Sequence, residues 1–595
     1  MRSQTILTTS LLSALTAGQW TCPPLGAVLP TAQSPGKHPA VRAALDAFAA
    51  ALEAETSAFR GSAVSIGVKS ALEDEPMLEF HHTPTGSDPQ GAQTVDGATV
   101  YRLASVSKVF TVLAALQRDD LIRWEDPVTK FIPELAGDVP GGELDYTNWD
   151  DVTVEALATH LSGIGAEMFA EVGAYPGDWE ALGLPPLPED EEKPACGGLL
   201  DVPACTREQF LSVYKNRRGP NYPVYQTPVY ANPGTALVGL IVEAATGKSM
   251  EQVYREAIFE PAGMTNTFYP EAPEDLGKVF IPINDTMYKY DIGVFAPAGA
   301  MYSSTDDMLK FGDAILRNQL LSGPKTRRWF KPVTFTSATG SFVGKPWEGW
   351  AANNLTGDGR VIEVYHKGGD LSPYHSGLTI IPEYNLTISI LVAGREVSGG
   401  LPYVQLKLND LLPQLIRALD AAAQEEAEAK IVGTYADEAS GSRVTLRRDG
   451  GWGLRLEDWV MRGFDVIPNF SRYNPMTVNL TEEQLPPDNW MTVRAYPTGL
   501  REGNRTAWRA VFDSFPPEMA GVIDSVAFWS NASCVTWLLV DRVSYGYNGL
   551  DAFEFTYGED GRVASVLPKA FAVELKRVEG GAVVSFQASM SSGLS

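Results

Sequence analysis

Cysteine is scarce in this 595-residue chain: there are four, Cys22, Cys196, Cys205 and Cys534, and no two form a Cys-x-x-Cys pair. No His-x-x-x-His pair occurs either, and His81 and His82 are neighbours that a strand would turn to opposite faces. Neither a metal centre nor a cofactor is expected. Basic residues are in deficit, 47 Lys and Arg against 73 Asp and Glu, for a formal net charge of −26. Such a surface repels phosphate backbones, and no basic stripe interleaved with aromatics offsets it, so nucleic acid is excluded as a partner. Beyond the N-terminus no run is apolar enough to cross a bilayer, so no integral membrane contact is expected. A Gly-x-Ser-x-Gly elbow is absent as well, which argues against an α/β-hydrolase.

Hydrophobic content of 44% is that of a globular protein, and the length suits two or three domains. Residues 1–18 read as a secretory signal peptide: Arg2, an apolar run from Ile6 to Leu15, then small residues at Ala17 and Gly18. Seven Asn-x-Ser/Thr sequons, at Asn284, Asn354, Asn385, Asn469, Asn479, Asn504 and Asn531, point the same way, to a secreted glycoprotein. The competing reading is accidental sequons on an intracellular protein. In an oxidising compartment an even set of cysteines pairs. Cys196 and Cys205 flank a short loop and are natural partners, which leaves Cys22 for Cys534, or two free thiols.

Residues 19–38 read as an extended lead-in, 39–59 as an amphipathic helix, and 62–68 and 77–81 as paired strands, an α+β arrangement. Ser105 and Lys108 then stand three residues apart before the helical run Val109 to Ile122. On one helix face a hydroxyl and an amine share a proton, and a lysine in a partly dry pocket becomes the base that a serine nucleophile needs. The spacing alone decides little, because Ser212/Lys215 and Ser322/Lys325 repeat it, and an ordinary serine beside a solvated lysine is the plain alternative. The Ser212 pair runs into the charged stop Asn216 to Pro220, and Pro324 makes the Ser322 pair a poor helix start.

Order supplies what spacing does not. Ser105-Val106-Ser107-Lys108 is followed by Glu125-Asp126-Pro127, by Thr159-His160-Leu161-Ser162-Gly163 and by Tyr230-Ala231-Asn232-Pro233-Gly234 before an apolar helix. Ile258 to Met264 and Pro297 to Ser304 continue the succession to about Gly394. Tyr-x-Asn also occurs at Tyr146/Asn148 and Tyr214/Asn216, outside that order. With these blocks the chain resembles the β-lactamase-related serine hydrolases: class C β-lactamases, penicillin-binding DD-peptidases, and the esterases and acyltransferases of that fold. The resemblance implies an antiparallel sheet flanked by helices plus a helical subdomain over residues 39–430, with 165–228 as an insertion that is either a lid or a remote elaboration. Residues 431–595 alternate in short segments between Gly, Asp and Asn turns and read as an all-β barrel or sandwich.

By the same resemblance Ser105 attacks an acyl carbon, Lys108 takes its proton and Tyr230 completes the path to the leaving group. The plain alternative for Tyr230 is a packed aromatic at a strand or loop end. Asn232 would hold Lys108 or the substrate, and the backbone N–H groups of Ser105 and Gly369 would form the oxyanion hole. The family's Lys-Thr-Gly triplet has its counterpart at His366-Lys367-Gly368-Gly369. His366 would stand in the lysine's place, either lining the pocket with Gly368 or as a structural histidine, and Lys367 would point away. A histidine there resembles the esterase and acyltransferase branch and disfavours the carboxylate-bearing substrates of penicillinases. His160 is expected beneath the site in a structural role, and no general-base glutamate is assigned. The expected partner is a small-molecule or peptide-like acyl substrate. An acyltransferase or transesterase of secondary metabolism and a non-catalytic binding relative are the alternative functions.

Overall fold

Residues 63–70, Ala-Val-Ser-Ile-Gly-Val-Lys-Ser, alternate β-branched side chains with small or polar ones, the pattern of a strand with one face in an apolar core. In the computed structural model they form β1 (Ala63–Ser70). The structure describes residues 22–578 except 138–141, 143, 169–170, 188–193, 195, 199–201, 398–399, 474–480, 482–489, 514 and 530. The expected signal peptide, the sequon at Asn479 and the acidic run 189–192 lie outside the described residues.

The chain divides into two units, one of residues up to Pro30 together with Ala423 onward, the other Thr31–Ala422. In the larger unit β1 is followed by β2 (Leu78–His82), by β3 (Val100–Arg102) and β4 (Tyr302–Ser304), which pair with each other, and by β5 (Thr334–Phe335) and β6 (Ser341–Val343). Then come β7 (Glu348–Ala352), β8 (Ile362–Leu371), β9 (Tyr374–Ile381) and β10 (Leu386–Ala393). Eight of these join in one antiparallel sheet in the order β2-β1-β10-β9-β8-β7-β6-β5.

Each face of the sheet carries its own core. Val64, Ile66, Val364, Ile388 and Ile390 pack against Leu45 and Phe48 of α1 (Pro39–Thr56) and against Val404 and Leu408 of the helix Leu401–Lys430. Tyr365, Leu378, Ile380 and Leu391 face the helical subdomain, with Val109 and Phe110 of α2 (Ser107–Leu116) and Leu237 and Ile241 of the helix Asn232–Thr246. Covered on both sides, β1, β9 and β10 are buried along their whole length. Each buried Leu, Ile or Phe in such a core contributes about 1.5–3 kcal/mol.

In the second unit the pairing returns to its start. Eight antiparallel strands between Gly433–Asp437 and Leu575–Arg577 close on themselves because Ser442–Arg447 bonds both Gly433–Asp437 and Leu454–Met461, so the unit is a barrel rather than a sandwich. Alternate residues such as Leu454, Leu456, Trp508, Phe553 and Phe555 fill its interior. Cys22 is disulfide-bonded to Cys534 and Cys196 to Cys205. Among the sequons, Asn284, Asn354, Asn504 and Asn531 are exposed, while Asn385 and Asn469 are half-buried. No helix of the described residues is long and apolar enough to cross a membrane. One expectation fails here: Pro324 does not impair a helix start but opens one, Gly323–Trp329, because the first turn has no intrahelical use for the N–H that proline lacks.

The helix Thr305–Leu316 lies so close to the sheet that a Cβ at Gly67 would meet Leu309 Cδ1 at 2.7 Å and one at Gly312 would meet Thr387 Oγ1 at 2.3 Å. Replacing Gly312 by Val is expected to destabilise the unit by about 1–3 kcal/mol despite valine's better helix propensity, read as a lower melting temperature in thermal denaturation.

Candidate active site

Ser105 is delivered by a short turn rather than by the helix itself. It sits in a 3₁₀ turn, Ala104–Val106, directly ahead of α2, and Ala104 holds a left-handed backbone (φ 46°) that an L-residue adopts only when its surroundings impose it. Ser107 supplies part of that constraint: its Oγ donates to the Ala104 carbonyl (2.6 Å) and accepts from Met301 N–H (3.0 Å).

Lys108 follows on the first turn of α2 and is fully buried. Its Nζ donates to Ser105 Oγ (2.9 Å), Asn232 Oδ1 (2.5 Å) and the Ala298 carbonyl (2.8 Å). Burial pushes its pKa down and the charge of Lys367 adds to this, while Tyr230 and Glu167 oppose it. The lysine is thereby brought toward the free-amine form that a general base requires.

Tyr230 ends the loop before the helix Asn232–Thr246, and its ring lies between two amines, 5.0 Å from Lys108 Nζ and 5.1 Å from Lys367 Nζ. The residue is 39% exposed, yet its hydroxyl reaches inward to both amines. Burial of that hydroxyl would raise the phenol's pKa, but the charges of Lys108 and Lys367 outweigh it and leave the phenol below its ordinary value. His160, itself left-handed at φ 61°, stacks on Tyr230 with ring centres 4.5 Å apart and accepts from Ala231 N–H at Nδ1 (3.2 Å). Burial, helped by the two lysines, lowers His160 to about 3, so it supports the tyrosine as a neutral ring.

On β8 the sequence expectation is corrected. Lys367, not His366, faces the cleft: the outward phase of β8 runs Tyr365, Lys367, Gly369, with Tyr365 in the helical-subdomain core, whereas His366 shares its face with Val364. His366 is fully buried there, its Nδ1 against Thr379 Oγ1 (2.8 Å) and its ring stacked on Trp350. Lys367 Nζ donates to Glu348 Oε1 (2.6 Å) and to the Gly368 carbonyl (2.8 Å). Burial disfavours its charge, but Glu348 and Tyr230 more than compensate and raise its pKa, and Glu348 is held down to about 2 despite its own burial.

The oxyanion expectation is corrected by the same strand. Gly368 N–H donates to Glu348 Oε2 (3.1 Å), and neighbouring N–H groups of a strand alternate in direction. Gly369 N–H therefore turns into the ladder with β9, where Gly369 pairs with Ser376, and it is Asp370 N–H that turns the same way as Gly368's. Gly368 is accordingly engaged with Glu348. What Gly369 provides is closeness: a Cβ there would lie 2.1 Å from the Leu103 carbonyl and 3.1 Å from Ser105 N.

Two side chains of this site carry no signal in the sequence. Glu348 and Glu167 belong to no motif; Glu167 Oε1 accepts from Asn232 Nδ2. Lys367 did have one, since Lys367-Gly368-Gly369 keeps the Lys-x-Gly spacing of the triplet one residue further on. The decoys lie elsewhere: Lys215 donates to the Glu134 carbonyl (3.0 Å) and Lys325 pairs with Asp119 (2.6 Å).

Comparison with known proteins gives the family. A family model described as Beta-lactamase matches residues 63–402, more than half of the chain, and the protein belongs to that family of serine hydrolases. A second model, described as "Beta-lactamase-like-like, C-terminal domain", matches residues 423–579. The chain is similar over nearly its whole length to a Beta-lactamase-like protein of Arthroderma benhamiae, 27% identical over 581 residues covering 92% of this chain and 94% of that one. It is 28% identical to the Probable hydrolase M10 of a Phoma species, over 70% of this chain and 69% of the relative. Among solved structures, the penicillin-binding protein homologue from Pyrococcus abyssi aligns at a TM-score of 0.45 and 18% identity, covering 79% of this chain and 94% of that one.

Burial lowers His366 from its ordinary 6.5 to about 4. Between those values the unfolded chain takes up a proton that the folded one refuses, so His366 contributes stability above pH 6.5 that is lost as pH falls toward 4. His366→Gln is expected to make the fall in melting temperature across that window shallower. Lys367→Met is expected to slow covalent labelling of Ser105 by a serine-directed reagent by about 10²-fold, with His366→Gln within about threefold of the parent, both checked by the labelling rate.

Proposed function

We propose that this protein cleaves an ester or amide through an acyl-Ser105 intermediate. The observation that carries the reading is the fully buried Lys108 amine held 2.9 Å from Ser105 Oγ by two further acceptors. In the first half of the reaction Ser105 Oγ attacks the acyl carbon while its proton passes to Lys108 Nζ. The phenol of Tyr230, poised between the two lysines, hands a proton to the departing alcohol or amine. The N–H groups of Ser105 and Asp370 receive the oxyanion, where one donor is typically worth about 10²–10³ in rate. Water then attacks the acyl group and returns its proton through the same groups, releasing the acid and restoring Ser105.

The substrate we propose is a small or peptide-like acyl compound. With Lys367 in the cleft, the argument from His366 against carboxylate-bearing substrates no longer applies, although Glu348 already engages that cation. The two disulfides and the sequons support a chain that passes through a secretory compartment.

Treatment with a fluorophosphonate followed by peptide mass spectrometry tests the reading. An adduct is expected on the Ser105 peptide and absent from Ser105→Ala, and Lys108→Ala is expected to slow its formation by at least about 10³-fold. Absence of the adduct from folded parent protein would refute the acyl-enzyme reading.

A further inference from the structure

Asn232 lies between two groups that leave its amide only one way to point. The Lys108 amine donates to Oδ1 (2.5 Å), and on the other side Nδ2 donates to Glu167 Oε1. An ammonium has only hydrogens to offer and a carboxylate only lone pairs, so rotating the amide by half a turn would oppose donor to donor and acceptor to acceptor. Glu167 is itself anchored: Arg218 donates to its backbone carbonyl, and Asn232 N–H donates to the Ala166 carbonyl beside it (3.2 Å). Its second oxygen, Oε2, is buried without a hydrogen-bond partner among the described residues. A half-buried carboxylate in that state is costly to keep: burial raises its pKa, and the Asn232 amide and the charges of Lys108 and Arg218 work against that rise.

We propose that Glu167 is a positioning residue of the active site, which locks the Asn232 amide so that its oxygen aims the Lys108 amine at Ser105. The inference rests on the acyl-Ser105 reading. The resulting chain, carboxylate to amide to amine to hydroxyl, has the logic of any nucleophile whose base is oriented by a third group, with one more link. The carboxylate also acts through its charge. Around Lys108 the charged and titratable groups are Glu167, Tyr230, Lys367 with its partner Glu348, and His160; around Glu167 they are Lys108 and Arg218. Of these Glu167 favours the protonated lysine and Lys367 opposes it, so loss of the Glu167 charge moves the Lys108 titration to lower pH.

The test follows the second-order rate of Ser105 labelling by a fluorophosphonate against pH in the full-length protein. In Glu167→Gln the side chain can present either an oxygen or an NH₂ group to Asn232, so the amide is no longer confined to one orientation. The plateau rate is expected to fall by about tenfold and the acid limb to move to lower pH. Glu167→Asp, which keeps the charge, is expected to restore the position of the limb. A rate within twofold of the parent and an unmoved limb in Glu167→Gln would overturn the proposal. Should the parent protein not be labelled, the acyl-enzyme reading fails, and the titration of Lys108 in protein carrying [ζ-15N]lysine, assigned against Lys108→Met, still decides this one. A lower titration point in Glu167→Gln supports the role of Glu167, and an unchanged one overturns it.

Discussion

A lysine buried to zero exposure is stable only if each hydrogen on its nitrogen finds an acceptor, and the larger unit of this protein is arranged around meeting that condition at Lys108. Its acceptors come from three separate places: the turn before its own helix, the start of the helix Asn232–Thr246, and the carbonyl of Ala298. No two of the three are near one another in sequence, and only Ser105 is near Lys108, so the site exists only when the subdomain is folded. The same burial that makes the arrangement demanding makes it useful, because desolvation is what brings the amine toward its basic form.

The second constraint is the sheet, which separates two cores and sorts side chains between them with a period of two. Along β8 this puts Lys367 beside Tyr230 and sends His366 into the core against Trp350 and Thr379. Glu348, from the neighbouring strand, then pairs with Lys367 and takes the N–H of Gly368. One carboxylate thus holds both the cation and a backbone donor of β8. Tyr230 inherits its lowered pKa from the two lysines together, so the electrostatics of the site belong to the set and not to any one residue.

Much of this was legible beforehand, for identifiable reasons. Ser105, Lys108, Tyr230 and Asn232 stand in short blocks whose order is itself information, and the structure brings all four together. The two-domain plan showed in the change from helical periodicity to short alternating segments, and the cysteine pairs emerged from their number and spacing. Glu167 was not legible, because it lies at the edge of the insertion with no motif around it and matters only through Asn232, which is distant in sequence. Glu348 was hidden for the same reason. The phase of β8 is not legible because both His366 and Lys367 are chemically acceptable in a pocket, and alternation says that two neighbours differ without saying which one faces in.

The amino-acid sequence by itself determined the pairing of Ser105 with Lys108, the ordered blocks of the family, the strand and helix periods, and the acidic, sequon-bearing composition, since each of these is local or additive along the chain. Only the tertiary structure decided which face of β8 meets the cleft, which carboxylates support the lysines, which backbone N–H of β8 is taken by Glu348, and that eight strands of the second unit close into a barrel. Those are questions of register and of long-range pairing. They are settled by which apolar face finds a partner and by where a buried charge finds its counter-group, and neither condition is written in any short stretch of residues.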